Sequence, residues 1–180
     1  MTDTQTKSTA PVRIELFIQA HASTAVVESL RELVARARRL EDAIGAAVHV
    51  ETWTAVRPAL EELSDSGPSV SGTVEAFRSW ADRHGYDLEP AFDRRETPSI
   101  VGLRATEVRV PTACVAVYAD GDIQCVAPCA DGDRIYTVMD CLTGLEDGIT
   151  EPFGARDDAP RGSSDSDGPA ERYARPEETE

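Results

Sequence analysis

Residues 112–119, Thr-Ala-Cys-Val-Ala-Val-Tyr-Ala, are apolar at odd and even positions alike. A strand with two apolar faces belongs in the middle of a sheet, with cover on both sides. Asp120-Gly121 follows, a pair suited to the two-residue hairpin turn that needs positive φ, and Asp122-Ile-Gln-Cys-Val-Ala127 supplies the returning strand.

The rest of the chain is read around that hairpin. Val12, Ile14, Leu16 and Ile18 alternate, giving a first strand. Val26, Leu30, Leu33, Ala37, Leu40 and Ile44 recur at three and four, which predicts a long amphipathic helix capped by Ser23 or Thr24 and ended by Gly45. Ala46, Val48 and Val50 alternate with His49 and Glu51 in a second strand. Pro58 to Leu63 suggests a short helical turn with proline at its first position. A second helix is expected from near Thr73, burying Val74, Phe77, Trp80 and Ala81 and stopping at Gly85. Leu88 to Glu107, with the run Asp93-Arg-Arg-Glu96, reads as irregular or edge structure. Thr137 and Asp140 have the spacing of a capping box ahead of Val138, Cys141, Leu142 and Leu145. Phe17 shares a strand face with Arg13 and Glu15, a face open to a second subunit.

The resulting order is β-α-β-α-β-β-α. It resembles the thioredoxin family, and so does Val108-Arg-Val-Pro-Thr-Ala-Cys-Val-Ala-Val-Tyr-Ala-Asp-Gly-Asp-Ile123, in which a Pro-Thr pair opens a strand that ends in an Asp-Gly turn. The resemblance implies a single α/β, thioredoxin-like domain over residues 12–149, strand one beside the strand from Thr112, and Pro111 as the family's cis-proline near His21. The family's C-x-x-C is absent: Gln19-Ala-His-Ala-Ser23 stands in its place. Disulfide exchange needs a thiolate nucleophile, so the family's activity is not carried over.

Phe77-Arg-Ser-Trp-Ala-Asp-Arg-His-Gly85 with Arg94, and Val126-Ala-Pro-Cys129 through Tyr136-Thr-Val138, resemble small haloarchaeal proteins, some of them labelled helix-turn-helix proteins. That label implies DNA-linked regulation. The arginines of the first helix, Arg31, Arg36, Arg38 and Arg39, are interleaved with Glu28, Glu32, Glu41 and Asp42 and read as helical ion pairs.

The 180 residues give room for one domain of ordinary size. Residues 1–11 are Thr-, Ser- and Gln-rich and read as a disordered arm; residues 150–180 have almost nothing to bury and read as a disordered acidic tail. The chain carries 33 acids against 18 bases, a net charge of -15, with Lys7 its one lysine. Such a surface repels itself at low ionic strength and is screened at molar salt, as in a halophile's protein; the plain alternative is an acidic mesophilic one. The same balance argues against nucleic acid and anionic membranes as partners. No long apolar run or signal-peptide plan is present, so a cytoplasmic location is expected.

Cys125-Val-Ala-Pro-Cys129 is the cysteine constellation of interest, a candidate thiol pair or metal site, the alternative being burial as small apolar residues. His21, directly before a helix N-terminus, faces backbone N–H groups that favour an anion, or is simply a solvated loop histidine. The common enzyme and cofactor signatures, among them the P-loop and G-x-G-x-x-G, are missing, so no cofactor is expected. The leading expectation is a non-catalytic regulatory or adaptor protein acting through a protein partner or as a homodimer. The alternatives are a thiol redox or metal role at Cys125 and Cys129, and a DNA-associated regulator.

Overall fold

The computed structural model describes residues 11–63, 69–89, 91–98 and 104–149. The expected arm and tail therefore lie outside the described residues, apart from Pro11. The chain builds β1 (Arg13–Gln19), α1 (Thr24–Ile44), β2 (Ala47–Trp53), α2 (Pro58–Glu61) and α3 (Val70–His84). Two hairpin strands follow, β3 (Arg94–Pro98) and β4 (Arg104–Val108), and then β5 (Ala113–Ala119) and β6 (Asp122–Ala127). A small ribbon, β7 (Cys129–Asp131) and β8 (Arg134–Tyr136), leads into α4 (Val138–Glu146). It is a mixed α/β architecture with a four-stranded sheet in the order β2-β1-β5-β6 and two separate two-stranded ribbons.

β1 runs parallel to β2, with Ile14 opposite Val48, and antiparallel to β5, with Ile14 opposite Val117. The parallel pair requires a crossover, which α1 provides. Asp120 (φ 54°) and Gly121 (φ 90°) make the β5–β6 turn, which only residues tolerant of the left-handed region can occupy.

Two apolar clusters sit on opposite faces of this sheet. Ile14, Leu16, Val115 and Val117 face Leu33, Ala37 and Leu40 of α1 and Leu142 and Leu145 of α4. On the other side Phe17, Cys114, Ala116 and Val126 meet Val74, Phe77 and Trp80 of α3, with Phe92 and Val108 from the flanks of the β3–β4 ribbon. β5 is thus covered on both faces, as its composition demands. Phe17 stacks on Trp53 at 4.8 Å and meets Phe77 edge-on at 5.8 Å. The expectation of an open strand face at Phe17 is corrected, because α3 and the segment around Phe92 bury it.

α3 starts at Val70 rather than near Thr73. Ser69 caps it, its Oγ accepting from the Gly72 N–H at 3.0 Å, and the Glu61 carboxylate accepts from the N–H groups of Val70 and Ser71. Burial pulls the Glu61 carboxyl upward, yet the hydrogen bonds from Ser71 and Val70 outweigh it and leave the group below its ordinary range. α2 is therefore fastened to the positive end of α3. The capping box of α4 forms: Thr137 Oγ1 accepts from Asp140 N at 3.2 Å, and Asp140 Oδ2 accepts from Thr137 N at 2.7 Å.

Candidate nucleic-acid interface

The segment expected to be irregular or edge structure folds into the β3–β4 ribbon, with Arg95 opposite Glu107 and Glu96 opposite Thr106. Its base is anchored to the body. Val56 and Val108 exchange backbone hydrogen bonds at 3.0 and 2.8 Å, Val108 is buried, and Arg109 N donates to Asp93 O at 2.8 Å. Alternation puts Arg94 and Arg104 on one side of the ribbon and Arg95 on the other. Residues 94–109 hold four arginines and two glutamates, a local excess of positive charge in a chain of net charge -15.

Arg94, Arg95, Arg104 and Arg109 are all exposed. Arg94 pairs with Glu75 of α3 at 3.0 Å, Arg104 with Glu96 at 2.9 Å, and Arg95 with Asp93. Arg57, just before α2, reaches Glu107 at 3.9 Å. These are exposed pairs of the kind that contributes little to stability and exchanges readily. Arg109 has no ion-pair partner among the described residues. The solvent side of the adjacent α3 is mixed, with Glu75, Asp82 and Arg83 exposed.

The residues singled out in the sequence do not form one site. Cys125 lies in the cluster under α1 and α4, whereas Cys129 lies in the cluster under α3. The two cysteines thus sit in different apolar clusters. β6 ends at Ala127, and Cys129 belongs to the β7–β8 ribbon, so the alternation of one strand does not carry across Pro128. The close pair is Cys125 with Cys141, Sγ to Sγ 3.4 Å. Burial pushes the Cys114 and Cys125 thiols well up and takes that of Cys129 to about 12. No cluster of three or more His, Cys, Asp or Glu able to hold a metal occurs among the described residues.

Pro111 opens β5 beside the end of β1: its carbonyl accepts from Trp53 Nε1 at 3.1 Å, and Thr112 O accepts from Gln19 N at 2.9 Å. Among the described residues the cis peptide bond is Ala127–Pro128, which corrects its expected place at Pro111. His21 is exposed in the turn between β1 and α1.

The four-stranded sheet with helices on both faces and an arginine-bearing ribbon beside α3 defines an α/β protein with one locally cationic element. The chain belongs to a family of helix-turn-helix domain proteins, whose model matches residues 6–150. No curated protein and no solved structure matches it. Membership overturns the expectation that nucleic acid is not a partner, since helix-turn-helix units place a helix on DNA. A net charge of -15 is an average over the whole chain and hides the four arginines of residues 94–109. No helix among the described residues is long and apolar enough to cross a membrane.

Proposed function

We propose that the protein is a DNA-associated regulator that meets the duplex with the β3–β4 ribbon and the neighbouring α3. The observation that carries the reading is the family match over residues 6–150. It favours DNA over the protein-adaptor role that composition suggested. The ribbon adds a physical rationale, since a two-stranded ribbon fits the major groove and its exposed arginines suit phosphates. α2 is a single turn, and residues 62–69 join it to α3, longer than the three or four residues of a compact helix-turn-helix. The ribbon is accordingly given the larger share of the contact.

The test is fluorescence anisotropy with duplexes selected from genomic fragments, across a salt series. Each arginine among Arg94, Arg95 and Arg104 that meets a phosphate should, on change to alanine, lower the slope of log affinity against log salt by about 0.9. A triple variant with an unchanged slope, or no duplex bound above background, refutes the reading.

We also propose that the scaffold is thioredoxin-like without thiol catalysis. Supporting it are the order β2-β1-β5-β6 with only β1 and β2 parallel, the helices on both faces, and the lack of cysteine from Gln19 to Ser23. Insulin reduction by dithiothreitol should proceed no faster with the protein than with buffer; turnover lost in Cys125→Ser would refute this.

A further inference from the structure

We propose that the groove between α1 and α4 binds an anionic amphiphile, a medium-chain carboxylate whose head group pairs with Arg39. The groove holds about 730 Å³, within the roughly 300–1,000 Å³ of small-molecule sites. Its walls are mainly apolar: Leu30, Leu33 and Ala35 from α1, Pro128 after β6, and Val138 and Met139 at the start of α4. Met139 is 46 % exposed, an unbranched side chain able to close over an alkyl body.

The charges at the rim set the polarity of the occupant. Arg36 donates to both carboxylate oxygens of Glu146, Nε to Oε1 at 2.7 Å and Nη2 to Oε2 at 2.6 Å, and Nη2 also reaches Thr143 Oγ1 at 2.8 Å. Those two opposite charges satisfy each other. Arg39, one turn further along the helix, is exposed and makes no hydrogen bond or ion pair among the described residues, although its charge helps hold Glu146 ionised. Glu32 lies on the same rim about 10 Å back along the helix axis, at seven residues' separation. A carboxylate is drawn to the Arg39 end and repelled from the Glu32 end, which aligns an alkyl chain over Leu33 and Leu30. This site lies on the α1 and α4 face, across the sheet from the cluster under α3 that the ribbon flanks, and does not depend on the DNA reading.

Isothermal titration with octanoate, hexanoate and 1-octanol at one fixed salt concentration tests it. One site is expected, with affinity falling about fourfold for each methylene removed. 1-Octanol should bind about fivefold more weakly than octanoate, and Arg39→Gln should abolish that difference. Ala35→Trp, at an exposed helix position, should fill the groove and remove binding while the far-ultraviolet circular dichroism stays unchanged. Absence of octanoate binding, octanoate and octanol binding equally to the unaltered protein, binding that survives Ala35→Trp, or a dimer that covers α1 in solution would each overturn the proposal.

Discussion

The Cys125 and Cys141 sulfurs lie 3.4 Å apart in the apolar layer between the sheet and α1 with α4, both residues fully buried. A buried thiol is out of reach of a dissolved reagent, and burial holds the Cys125 thiol well above its ordinary range. All four cysteines should therefore be silent toward Ellman's reagent in the native protein at pH 8 and release four thiols per chain in denaturant. A native cysteine reacting within seconds would contradict this.

Phe77 is fully buried and touches both Phe17 and Phe92 edge-on, at 5.8 and 6.1 Å. Phe77→Ala should destabilise the protein by about 3–5 kcal/mol in urea unfolding. Leu63→Ala, at an 81 % exposed position, should stay within about 0.5 kcal/mol and serves as the control.

Besides Glu61, two carboxyls sit below their ordinary range in the folded state, Asp140 through the Thr137 hydroxyl and backbone N–H, and Glu146 through the Arg36 hydrogen bonds. Since the folded values are the lower ones, their contribution is complete above the unfolded carboxylate pKa of about 4 and disappears as pH falls through the folded values. Thr137→Ala should cost about 1 kcal/mol at pH 7 and flatten the fall of melting temperature on acidification. Arg36→Gln should cost roughly 0.5 kcal/mol, kept small by solvent at a pair whose glutamate is 36 % exposed. A variant as acid-sensitive as the parent would refute the assignment.

With 33 acids against 18 bases, melting temperature should drop as salt is diluted from molar to about 0.1 M, where carboxylate repulsion is no longer screened. A constant melting temperature would show that the acidic composition has no such role.

What was legible in the sequence is what local chemistry decides. α1 declares itself through Leu30, Leu33, Ala37 and Leu40, the β5–β6 hairpin through Asp120-Gly121, and α4 through Thr137 and Asp140. The β3–β4 ribbon was illegible because Arg94-Arg-Glu96 has no apolar period; it is held by pairing with β4 and by the Val56–Val108 bridge, which no local window contains. The β7–β8 turn did carry a signal, Asp131-Gly132, with Gly132 at φ 58°. The Cys125–Cys141 contact was illegible because the two are distant in sequence: Cys141 reaches Cys125 only once α4 folds back on the sheet.

β1 contributes to both apolar clusters, and its two neighbours in the sheet come from very different distances along the chain. β2 is reached through one helix, but β5 only after a loop of roughly a hundred residues has closed, at an entropic cost that grows slowly with length. Such pairing raises contact order and slows folding. During synthesis, β1, α1 and β2 can form early, yet the β5 side of β1 stays unpaired until residues near Ala119 leave the ribosome. Until then Phe17 and Leu16 have only part of their cover, which makes that unfinished edge the place where a nascent chain would most readily be held by a chaperone or join another copy of itself.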